Sequence, residues 1–149
     1  MIKITKRVAK QKFKLTEQPF EFNFTVLAIA SQSSDYHLCW HVNRELRITL
    51  SRKNDLQIDD AKKKRINYFS FFSFTDTTDT GNYYFIANKS GGDYFLPEVK
   101  MADFLLVIPG TSASEIKKVI SLIKKLPQVM AITELELNKL KSKGNLIFE

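Results

Sequence analysis

The chain has 149 residues, a single cysteine and a formal charge of +7, with 44% hydrophobic and 26% charged side chains. That length suits one domain able to bury roughly 68–70% of its unfolded surface, so its core can stand without disulfide or metal. One cysteine excludes an intrachain bridge and points to a reducing, cytoplasmic setting, and no run approaches the ~20 apolar residues of a membrane helix.

The charge is unevenly placed. Residues 1–14 hold Lys3, Lys6, Arg7, Lys10, Lys12 and Lys14 and no acid, leaving 17 basic and 16 acidic side chains for the rest. We therefore divide the chain into a basic N-terminal arm, 1–14, expected to be poorly ordered, and a single α+β domain, 15–149. The arm is either a solvated end or a set of phosphate contacts. Its charges interrupt every apolar run near the start, so no secretory leader is expected, and it has few large apolar residues to insert into a membrane surface.

Phe20–Val26 alternates apolar and polar residues, the period of a half-buried strand. Leu27–Ala30 is apolar throughout and reads as further strand or as the start of a helix. Ser33 and Ser34 offer caps for a helix over Asp35–Leu46. Its apolar stripe is Leu38, Cys39, Val42 and Leu46, flanked by Tyr36 and Trp40, with His37, His41, Arg44 and Glu45 opposite. Arg47–Ser51 alternates like a strand, and the charged residues 52–65 read as a loop. Ile66–Phe74 carries Tyr68, Phe69, Phe71, Phe72 and Phe74, which implies a strand covered on both faces or a tight dimer edge.

Thr75–Asn82 is a turn, and Tyr83–Ala87 is the hairpin partner of the aromatic strand. Gly91-Gly92 makes a second turn. Asp93–Leu96 is a short strand stopped by Pro97, and Phe104–Ile108 reads as a central strand. Ser112 and Glu115 have capping-box spacing before a second helix bearing Ile116, Val119, Ile120 and Ile123, closed by Pro127. Val129–Leu135 is a last strand and Leu137–Lys143 a short helical turn. This order predicts an α+β two-layer sandwich, with a mostly antiparallel sheet of about six or seven strands and two main helices.

Candidate chemistry is sparse. His37 and His41 have the i, i+4 spacing that can hold zinc, but no third ligand adjoins them, so they read as polar-face residues and no metal is expected. Cys39, on the apolar stripe, reads as core rather than nucleophile. Glu98 and Asp103 could converge around Pro97 for acid–base work, or serve only a backbone bend and a strand start. Asp35 and Asn43 carry the same ambiguity. Gly110–Ser114 precedes a helix but lacks the spacing of a nucleotide-binding loop. The Asp76–Asp79 turn lacks a calcium-loop pattern, and Arg65–Phe71 lacks the glycines of an RNA-recognition strand.

Residues 96–104 read Leu96-Pro97-Glu98-Val99-Lys100-Met101-Ala102-Asp103-Phe104. This stretch resembles the signature of the bacterial IPExxxVDY family, with Leu96 for Ile, Ala102 for Val and Phe104 for Tyr. Asp35-Tyr36-His37-Leu38-Cys39-Trp40 with Asn43 is similar to the family's Asp-Tyr-Arg-Leu-x-Trp-x-x-Asn segment. Ile86–Lys89, Lys139–Lys143 and Asn145–Phe148 extend the likeness. The resemblance implies roles in function or fold for Asp35, Tyr36, Trp40, Asn43, Pro97, Glu98, Asp103 and Phe104, and points to no particular biochemical activity.

Three functional expectations follow. The first is a non-catalytic binding or interaction module that self-associates through aromatic strand surface, without cofactor. The second is a nucleic-acid-associated protein gripping phosphates with its arm. The third is an enzyme using Glu98 and Asp103 with help from Asp35.

Overall fold

The computed structural model describes residues 22–76, 81–110 and 112–146. The basic arm with its six cations, Phe20 and Glu21, the centre of the 75–82 turn, and Ile147 and Phe148 lie outside them.

The first strand, β1 (Phe24–Ser31), runs without interruption through the apolar segment whose character was open in the sequence. Its Val26–Ile29 side chains are fully buried on both faces, which requires a central strand. Helix α1 spans Asp35–Leu46 as expected and buries Leu38, Cys39 and Val42. Ser34 caps it, its hydroxyl accepting the His37 amide proton at 3.3 Å.

Beyond the helix two expectations are corrected. Of Arg47–Ser51, residues 47–50 are not in a strand. Arg47 is left-handed (φ 56) and closes α1, and the Asn43 side chain then clasps Leu50 in both directions. Its Nδ2 donates to the Leu50 carbonyl at 3.1 Å, and its Oδ1 accepts the Leu50 amide proton at 2.8 Å. Residues 52–65 are not a loop: β2 (Ser51–Asp60) and β3 (Arg65–Asp76) form a long hairpin. β2 is an edge strand whose outer residues are charged, and only Leu56 and Ile58 turn inward.

The chain continues through β4 (Gly81–Ala87), a small hairpin of β5 (Lys89–Ser90) and β6 (Asp93–Tyr94), β7 (Phe104–Pro109), helix α2 (Ala113–Lys124) and β8 (Val129–Glu134). Two 3-10 turns follow, Leu137–Lys139 and Lys143–Leu146, where one helical turn was expected. The capping box at α2 does not form: Ser112 caps by position only, its hydroxyl meeting that of Ser114 at 3.0 Å.

Among the described residues the main sheet has six strands in the order β2-β3-β4-β7-β1-β8, every neighbouring pair antiparallel. The fold is α+β, as the sequence predicts. Successive side chains point to opposite faces, so the sheet separates two cores. On one face Leu27, Ile29, Phe72, Phe85, Phe104 and Leu106 pack beneath α1 and α2. On the other, Val26, Phe69, Phe71, Ile86 and Leu105 are covered by Phe95, Leu96, Val99, Leu137 and Leu146. The second face is therefore roofed by the motif segment and the 3-10 turns. β3 is an internal strand, and Phe69, Phe71 and Phe72 are core, which removes them from any dimer edge.

The two sheet edges differ. β2 carries Arg52, Lys53, Asp55, Asp59 and Asp60 and has a register shift between Lys53 and Leu56. β8 has no charge from Val129 to Thr133, and Met130 is 67% exposed.

Candidate functional site

The motif residues form a strap across the second face of the sheet, and Asn88 holds it there. This side chain is fully buried. Its Nδ2 donates to the carbonyls of Val99 and Ala102 at 2.9 and 3.0 Å, and its Oδ1 accepts the Leu96 amide proton at 2.8 Å. One buried amide thus satisfies three backbone groups of a turn that has no regular structure of its own.

Glu98 and Asp103 face different segments. Glu98 accepts from the Ser142 amide at 2.8 Å and from the Ser142 hydroxyl at 2.5 Å. Partial burial opposes its charge, but these bonds, with amides of Glu98 and Lys141, outweigh burial and hold the carboxyl below its usual value. Asp103 accepts from the Ser31 amide at 2.8 Å with one oxygen and from the Lys89 ammonium at 2.7 Å with the other. The two carboxylates have no hydrogen-bond partner in common, so the geometry does not assemble the acid–base pair that their spacing allowed.

The other motif positions make local contacts within the fold. Phe104 stacks on Phe85 at 5.1 Å between centroids. The Asp35 carboxylate accepts the Tyr36 amide proton at the start of α1, and Asn43 holds Leu50. Tyr36 and Trp40 are 67% and 56% exposed; Tyr36 meets Phe72 edge-on and Trp40 lies under Arg44. His37 and His41 share Gln128, at 3.5 and 3.1 Å, and no cluster of three metal-ligating side chains occurs among the described residues. Cys39 is buried, and burial together with the charge of Asp35 pushes its thiol up to about 12.

Sequence reasoning missed a cleft of about 740 Å3 beside the strap. It lies between the tip of the β2–β3 hairpin, the β5–β6 turn, Pro97 and the final 3-10 turn. Ile58, Tyr94 and Pro97 give it apolar surface; Lys62, Lys63, Lys100 and Lys141 give it positive charge; Asp59, Asp60 and Asp93 also line it. Lys63 and Arg65 both bind Asp93, which ties the hairpin tip to the β5–β6 turn and lowers the Asp93 pKa. Gly92, at φ 89, makes that turn, and a Cβ there would meet open space. Of its lining residues only Pro97 stood among the candidate site residues of the sequence, because the walls come from segments far apart along the chain.

No described helix is long and apolar enough to cross a membrane. No family model matches the chain, and no curated protein matches it closely enough to be a relative.

Proposed function

We propose that the chain is a cytoplasmic, non-catalytic interaction module of the bacterial IPExxxVDY type that self-associates through the outer edge of β8, which pairs only with β1 among the described residues. The support is the contrast between the two sheet edges. Exposed strand edges invite pairing, and proteins blunt them with charge, bulges or proline. β2 is blunted by charge and a shifted register, whereas β8 offers Val129–Thr133 with no charge on its open side. A second copy fits this edge in antiparallel register, continuing the sheet across a twofold axis. Of the aromatic strand first expected to do this, Phe69, Phe71 and Phe72 are interior, while Tyr68 is exposed.

The test is sedimentation equilibrium of the full chain beside Ala131→Lys. Ala131 is exposed, so a lysine there adds charge to the edge without disturbing the core. A dimer that becomes a monomer in the variant supports the reading. A native chain that stays monomeric at ~100 µM, weaker than any stable assembly requires, rejects it.

A second reading rests on the six cations of residues 1–14, which would grip phosphates. It requires duplex DNA or RNA binding that falls steeply with salt and disappears when the chain starts at Leu15.

A further inference from the structure

We infer that the cleft beside the motif strap binds a small organic dianion with a flat apolar body, held by Lys100 and Lys141 against Tyr94 and Pro97.

The charge balance of the walls supports this. Asp93 is engaged by Lys63 and Arg65. Asp60 accepts the amide protons of Lys62 and Lys63 at 3.1 Å each, as a turn carboxylate does. Asp93 is thus met by cations of the β2–β3 hairpin and Asp60 by amides of its own turn; with Asp59, three acids and four lysines line the cleft. Lys100 and Lys141, on the opposite wall, make no ion pair among the described residues. Two cations converging on one concavity from separate segments raise its affinity for negative charge.

The shape defines the rest of the ligand. The volume falls in the range of small-molecule sites, roughly 300–1,000 Å3. The Lys100 ammonium lies over the Tyr94 ring, 6.0 Å from its centroid, as does that of Lys89, so an anion drawn to Lys100 has the aromatic ring beside it. The walls are already fixed: Glu98 anchors Ser142, which lines the cleft, and the buried Asn145 donates to the Phe95 carbonyl at 2.9 Å. Preformed walls reduce the ordering cost of binding. The cleft adjoins β2 and β3, at the opposite side of the sheet from β8, so this inference stands apart from self-association.

The experiment is an amide chemical-shift titration of the full chain with phenyl phosphate, phthalate and inorganic phosphate. The wild type is compared with Lys100→Gln/Lys141→Gln and with a control, Lys117→Gln/Lys118→Gln, on the exposed face of α2. The expected result is saturable shifts at Asn67, Gly92 and Gly144 with phenyl phosphate or phthalate, weaker binding of inorganic phosphate, and an affinity loss of about tenfold or more in the cleft variant alone. Preference between the two aromatic probes separates a phosphate ligand from a dicarboxylate. Absence of saturable shifts at millimolar probe would overturn the inference. So would shifts that survive in the cleft variant, or that disappear in the α2 control.

Discussion

Glu98 and Ser142 stand 44 residues apart in the chain and are joined by two hydrogen bonds, both accepted by one carboxylate. Through this contact the last 3-10 turn is fastened to the motif strap. The Glu98 pKa is lowered in the folded protein, so the unfolded chain binds more protons at acid pH. The contribution is complete above the ordinary value of 4.5 and is lost as the pH falls from there through the folded value. Glu98 is exposed, so solvent screening limits the effect to about 1 kcal/mol. Glu98→Gln should lower the urea midpoint at pH 7 and flatten its decline below pH 4.5. An acid limb as steep as that of the wild type would show that Glu98 is not its source.

Asn88→Ala should cost more. It leaves the Leu96 amide and the Val99 and Ala102 carbonyls without their side-chain partner in a buried site. The expected loss is about 2–4 kcal/mol. Asn88→Asp should be no better, since a carboxylate can accept from Leu96 but places negative charge against two carbonyls. Denaturant unfolding of both variants measures the cost, and a loss near zero would mean that the strap is held by its apolar contacts alone.

Gly81 begins β4 at φ +98, with the position of a Cβ 3.0 Å from the Pro109 Cβ. Alanine there meets both an unfavourable backbone region and a crowded neighbour. Gly81→Ala should lower stability by about 1–3 kcal/mol. Gly91→Ala, at φ 54 with nothing near its Cβ, should cost less. Equal thermal shifts for the two would remove the steric part of the argument.

Cys39 should resist modification in the native state. With its thiol pushed up to about 12, on the order of one molecule in ten thousand carries a thiolate at pH 8. A disulfide reagent should therefore react slowly with the folded chain and rapidly in urea, with a native rate that tracks unfolding. Rapid labelling without denaturant would place the thiol at the surface.

The legible parts of this fold carry their signal in one stretch of chain. α1 was readable because Leu38, Cys39 and Val42 recur at helical spacing behind Ser34. β7 was readable because five buried residues follow one another. β2 was illegible because an edge strand owes its conformation to its neighbour: eight of its ten residues satisfy solvent rather than a core, and only Leu56 and Ile58 alternate inward. Arg47–Ser51 misled for the converse reason, since its alternation reflects packing of a link that Asn43 holds in place. At the site, Glu98 and Asp103 were visible as chemical types, but the partners that separate them, Ser142 and Lys89, lie outside any local window. The cleft was invisible for the same reason.

β1 is made first among the described strands, yet it pairs only with β7 and β8. Its Ser31 amide meets Asp103 across 72 residues of intervening chain. At a synthesis rate of ~5–20 residues per second, the apolar run Val26–Ile29 therefore waits several seconds for a neighbour. During that interval the nascent chain has a β2–β3–β4 meander that can close locally and one orphaned, sticky segment that cannot. The slow event in making this protein should thus be the insertion of its oldest strand between two of its youngest, and a nascent chain stalled before Phe104 should be a better chaperone client than the finished molecule.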